Sequence, residues 1–219
     1  MTASRKRVAV FISGGGSNML ALVKACEAAD FPAQIVGVFS DRADAGGLAK
    51  AQALGIPAFA FQRRDYGSKA EHEAAILTSL TELSPDIICL AGYMRLVSAD
   101  FIRPYEGRML NIHPSLLPHF PGLHTHQRAI DAGHGEAGCT VHFVTEGMDE
   151  GPVIVQAKVP VEPGDTADSL AARVLTVEHR AYPLALRLLA EERVAMIDGR
   201  TVFADEAAAH DAQGIRASL

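Results

Sequence analysis

The run Arg7–Ser13, RVAVFIS, constrains this chain most: seven residues, nearly all apolar, stop at three consecutive glycines. So short a run, closed by glycine, suits a strand covered on both faces. Behind the glycines Met19, Leu22, Val23 and Cys26 stand at i, i+3, i+4 and i+7, one stripe of a helix. The alternation then recurs. QIVGVFSD, IPAFAF, DIICLAGY and GRMLNIH read as four further strands. Ser68 and Glu71 form an S-x-x-E capping sequence that opens a helix with Ile76, Leu80 and Leu83 inside. Such repeats imply right-handed crossovers. The predicted fold is α/β: an open, mostly parallel sheet with helices on both faces, Rossmann-like in its N-terminal half.

The second half changes pattern. CTVHFVTE and PVIVQAKVPV are strand-like and joined by a short acidic loop, which predicts an antiparallel pair. Asp165 or Thr166 then caps a helix with Leu170, Val174, Val177 and Ala181 on one face. Pro183 is expected to break it, with a further helix running to about Glu192. Residues 199–219, Ala-rich and polar, are expected to be loosely held. No linker or repeat interrupts the rest, so residues 1–198 read as one domain. Its halves cover about 7–110, for a nucleotide phosphate, and about 111–195, for catalysis.

Apolar residues make up 48% of the 219, enough for a substantial core, and the net charge is −6. With no Lys/Arg block, an acidic chain is a poor partner for polymeric nucleic acid. Three widely spaced cysteines give neither a zinc spacing nor a disulfide framework. The apolar start is too short for a signal-peptide core or a membrane span. A cytoplasmic protein without membrane partners is expected.

Three segments carry chemistry. In SGGGSNML a strand, glycines and a helix start let backbone N–H groups approach an anion, helped by the helix dipole. Gly14 and Gly16 fit the dinucleotide fingerprint, but Met19 occupies its third glycine position and no Gly-Lys-Ser/Thr follows. One phosphate is therefore expected, not a dinucleotide clamp. In NIHP, Asn111 and His113 are i and i+2 at the carboxyl end of the fifth strand and so share a face. An amide donor beside an imidazole suits an oxyanion and a proton transfer. In VTEGMDEGPVI, Asp149 lies between glycines; it could raise the imidazole's pKa or fix a water. Arg95, just after the fourth strand, either grips a carboxylate or is a surface residue of a core-entering segment. Four of the nine histidines fall within Asn111–His126, yet the proline-broken His124-x-His126 stretch lacks metal-ligand spacing. No metal is expected; His124 and His126 shape a loop.

Taken in order, SGGGSN, LAGYMRLVS, LNIHPSLLPHFPGLHTH, TVHFVTEGMDEGPVIVQAKVPV and TVEHRAYP resemble the phosphoribosylglycinamide formyltransferases, folate-dependent enzymes of purine synthesis. The likeness covers about residues 7 to 195. It implies transfer of the formyl group of 10-formyltetrahydrofolate to the amine of glycinamide ribonucleotide, without a metal. Asn111, His113 and Asp149 match the catalytic positions. Gly16, Ser17 and Asn18 match the phosphate loop, and Glu178 a ribose contact. Lys69, Met94, Arg95, Val97, Ile102 and Val144 match folate positions, with Asp149 in the same closing loop. Three positions depart from the family's usual pattern. Gly15 replaces an Asn; Lys69 stands where an Arg often meets the folate tail; and Leu175 replaces a polar residue facing the phosphate, which is expected to weaken that contact. Related enzymes include dimers, so the resemblance admits a homodimer, while the sequence itself leaves the oligomeric state open.

Four rival readings remain. 10-Formyltetrahydrofolate hydrolase shares the folate half but usually adds an N-terminal domain. Methionyl-tRNA formyltransferase needs a C-terminal RNA-binding domain and a basic face. An NAD-binding domain would use Asp41 for the ribose, but lacks its third glycine. A nucleotide sensor would leave Asn111, His113 and Asp149 without a joint purpose.

Overall fold

The structure, a computed structural model, describes residues 4–213. Contacts cluster into two compact units, Met1–Leu110 and Asn111–Leu219. In the first, β1 (Lys6–Ile12) pairs in parallel with β2 (Ala33–Ser40), and β2 with β3 (Ala58–Ala60). Helices α1 (Ser17–Cys26), α2 (Gly46–Ala53) and α3 (Lys69–Leu83) alternate with these strands. β4 (Ile87–Leu90) pairs with β1 on the side away from β2. The chain therefore reverses its direction of winding between β1 and β4, the kind of point at which open sheets place ligands. Val8 to Ile12 are wholly buried, as the continuous apolar run requires. Phe11, Phe39 and Phe59 stack at 4.9 Å steps through the core. A short helix α4 (Ala99–Ile102), capped by Ser98, precedes β5 (Met109–His113), which the first unit begins and the second ends.

The second unit holds α5 (Thr125–Asp131) and the antiparallel pair β6 (Glu136–Phe143) and β7 (Val153–Pro160). Their register shifts between Val141 and His142. Such a bulge redirects the side chains beyond it. α6 (Ala167–Ala190) packs on both strands and starts at Thr166, whose hydroxyl accepts from the Ser169 N–H while the Ser169 hydroxyl accepts in return. The seven main strands run β3-β2-β1-β4-β5-β6-β7, a mostly parallel sheet with one antiparallel pair.

Two expectations need correction. Pro183 does not break its helix: α6 continues for 24 residues. Proline forfeits one ladder bond there, but Ala181, Tyr182, Ala185, Leu186 and Leu188 are buried on either side of it, and that burial outweighs the loss. The region after residue 198 is not loose as far as Gln213. β8 (Val194–Ile197) and β9 (Arg200–Phe203) form a hairpin, and α7 (Glu206–Gln213) buries Ala208 and Ala212 one turn apart. Asp205 accepts from the Ala208 N–H, and Arg193 pairs with Asp211 at 2.8 Å. Residues 214–219 lie outside the described residues.

Candidate active site

Two groups of residues stand out, one in each unit. In the first, the loop after β1 turns through Gly14, Gly15 and Gly16. Gly16 takes a left-handed φ of 71° as the N-cap of α1, and no side chain caps that helix. A Cβ on Gly16 would lie 3.0 Å from the Gly47 Cα, while Gly14 and Gly15 face open space. With glycine as its N-cap, α1 starts without a side-chain cap, an arrangement that favours anion binding. Asn18 is buried beneath and Ser17 half-buried.

Next to this loop, Asp41 ends the line of β2 and is 7% exposed. Its carboxylate accepts from the Ser13 hydroxyl at 2.6 Å and from Arg95 Nε at 2.7 Å, and the Ser13 oxygen accepts from the Met94 N–H at 2.8 Å. Asp41 is thus engaged by Ser13 and Arg95, which leaves the NAD-type ribose acid without its carboxylate. Arg95 commits Nε but keeps its outer nitrogens. Met94 is 71% exposed, Val97 half-buried and Ile102 buried. Lys69 lies 3.7 Å from Glu73, whose carboxylate also accepts from the Ser98 N–H and hydroxyl.

In the second unit, Asn111 and His113 do project from β5 to the same group. His113 is 93% buried, with Nδ1 3.3 Å from Asp149 Oδ2 and Nε2 3.0 Å from the Phe120 carbonyl. Both ring nitrogens face acceptors, so only the doubly protonated imidazolium donates to both. Asp149 adopts a left-handed φ of 57°, tolerated by Asp more than by most residues, and its Oδ2 also accepts from the Gly122 N–H at 2.9 Å. Asn111 Nδ2 lies 3.2 Å from His142 Nε2, and His142 Nδ1 lies 2.8 Å from the Phe143 carbonyl. A carbonyl can only accept, so His142 carries its proton on Nδ1 and Nε2 accepts from Asn111. Burial pushes the His142 pKa down, in keeping with that neutral ring. One Asn111 N–H remains to donate elsewhere.

His142, Phe120 and Gly122 were not anticipated as supports. Gly151, too, has a reason to be glycine: a Cβ there would sit 1.7 Å from the Phe143 carbonyl oxygen that holds His142. Glu178 on α6 is buried and close enough to Cys139 that its charge, after burial, pushes that thiol up. Leu175 is half-buried one turn earlier, and Val144 is buried just before the Asp149 loop. His124 caps α5 in a left-handed conformation, and His126 is half-buried. Among the described residues no three His, Cys, Asp or Glu side chains converge as a metal site.

A sheet with a glycine turn after β1 and an amide–imidazole–carboxylate group at the end of β5 defines a group-transfer enzyme rather than a hydride-transfer domain. The chain belongs to the formyl transferase family, whose model matches residues 6–186. It is 44% identical over 199 residues to the phosphoribosylglycinamide formyltransferase of Escherichia coli, covering 88% of this chain and 94% of that one. It is 47% identical over 191 residues to the trifunctional purine biosynthetic protein adenosine-3 of Drosophila melanogaster, matching 86% of this chain but only 14% of that protein's length. Among solved structures, the phosphoribosylglycinamide formyltransferase of Brucella melitensis is 68% identical with a TM-score of 0.83, over 85% of this chain and 96% of that one.

Proposed function

We propose that this chain transfers the formyl group of 10-formyltetrahydrofolate to the amine of glycinamide ribonucleotide, giving formylglycinamide ribonucleotide. The observation that carries the reading is the buried His113 imidazole, its nitrogens facing Asp149 and the Phe120 carbonyl, two residues along β5 from Asn111. In this reading the substrate amine attacks the formyl carbon and a tetrahedral intermediate forms. The spare Asn111 N–H and a His113 N–H donate to its oxyanion; for His113 this means sharing or exchanging the bond to Phe120. The C–N bond to the folate then breaks. The proton lost by the amine reaches the departing nitrogen through a water held by Asp149.

The backbone N–H groups of Gly16, Ser17 and Asn18 are assigned to the phosphate, and Glu178 to the ribose. Lys69 and Arg95 offer cations to the folate's carboxylates, each already neutralised in part by Glu73 and Asp41. Met94, Val97, Ile102 and Val144 supply apolar contact. Both substrates are small molecules, and purine synthesis puts the reaction in the cytoplasm. No described helix is long and apolar enough to cross a membrane. A homodimer is the proposed assembly.

Absorbance at the deformylated folate product, followed with and without glycinamide ribonucleotide for wild type and His113→Ala, tests the reading. Turnover that needs the ribonucleotide and collapses in the variant supports it. Turnover without ribonucleotide would assign the hydrolase instead.

A further inference from the structure

We infer that Lys50, outside the glycine loop, is a positioning residue for substrate phosphate; the inference rests on the formyl-transfer reading above. Two successive carbonyls of the loop are occupied from α2. Gly14 O accepts from the Gly47 N–H at 3.0 Å, a first-turn group of α2 with no partner inside its own helix. Gly15 O accepts from Lys50 Nζ at 2.8 Å. In a planar trans peptide the C=O and the following N–H point in opposite directions. Tying Gly14 O and Gly15 O to α2 therefore turns the Gly15 and Gly16 N–H groups away from it. They join the first-turn N–H groups of α1, which begins at Ser17 behind an uncapped Gly16. The row is a concave nest for one anion.

Three glycines swing freely, so something must hold them against that freedom before the phosphate arrives. Gly47 does part of this at close range: a Cβ there would lie 3.2 Å from Gly14 O and 2.4 Å from Ile12 Cδ1, which would have to move. Lys50 does the rest from an exposed position, where it has no packing role to confuse the effect of replacing it. It also offsets the negative end of the Gly15 carbonyl, which would otherwise face an approaching dianion.

The test compares wild type, Lys50→Met and Lys50→Arg with two amine substrates, glycinamide ribonucleotide and the same riboside without phosphate. Loss of one charge-assisted bond at an exposed site should raise the KM for the ribonucleotide about five- to tenfold in Lys50→Met. Turnover at saturation and the KM for the riboside should stay within about twofold, and Lys50→Arg should recover most of the loss. An unchanged ribonucleotide KM in Lys50→Met overturns the inference, and so does an equal rise for the riboside. Wild type that turns over folate with no dependence on either amine overturns the formyl-transfer reading itself and the inference with it.

Discussion

Replacing Asp149 by Asn separates charge from shape at the centre of the site. Asn tolerates the left-handed φ of 57° as Asp does, so the backbone is not perturbed. The carboxylate serves two donors through one oxygen, the Gly122 N–H at 2.9 Å and His113 Nδ1 at 3.3 Å, and is only 12% exposed. An amide oxygen in the place of Oδ2 would keep both bonds, with the NH2 in the place of Oδ1, 3.9 Å from His142 Nε2. What the substitution removes is the negative charge that the two donors face, at a cost of about 1–2 kcal/mol. That cost, about 1–2 kcal/mol, corresponds to a fall in kcat of roughly 5- to 30-fold. Ribonucleotide-dependent folate deformylation under saturating substrates measures it, with a thermal melt to show the variant folded. A folded Asp149→Asn enzyme retaining kcat within about threefold of wild type would refute the role given to the carboxylate.

Two further outcomes follow from the second unit. Burial lowers the pKa of His126, His142 and His179, so the unfolded chain binds more protons than the folded one just below the ordinary histidine value. Stability should be fully present above about pH 6.5 and decline as pH falls below it, seen as a falling melting temperature; His142→Gln should make that decline shallower, and an unchanged pH slope would count against a neutral buried His142. Pro183→Ala restores a backbone N–H inside α6 at a position already helical, and should raise stability by about 1–2 kcal/mol, read as an upward shift of the melt; a lower melting temperature would mean that the proline ring's packing outweighs the missing bond.

Where a strand is buried on both faces, its sequence is a continuous apolar run, and β1, β2, β4 and β5 were legible for that reason. α2 was not. Its sequence, GGLAKAQA, begins with two glycines that ordinarily disfavour a helix, and the reason for the second is tertiary: Gly47 sits against Ile12 and its N–H donates to Gly14 O. The β8–β9 hairpin did carry a local signal. Asp198-Gly199, both at positive φ (49° and 69°), is the turn pair that joins two short strands. It was overlooked because the surrounding composition resembles a polar tail.

The same division runs through the candidate site. Asn111 and His113 could be read as partners because i and i+2 on a regular strand share a face, a purely local rule. Their supports obey no such rule. His142 reaches Asn111 from a strand whose register slips between Val141 and His142, and an alternation argument fails at the residue where the slip occurs. The Phe120 carbonyl and Gly122 N–H belong to a proline-broken loop with no period at all. Side chains that do the chemistry announce themselves by type and spacing, whereas the groups that hold them are often backbone atoms, which every residue possesses and no sequence distinguishes. It follows that Phe120 can be changed in side chain without losing the carbonyl that meets His113, provided its left-handed φ of 54° is kept. The constraint there falls on conformation, and a sequence shows it only indirectly, through the prolines and glycine that surround it.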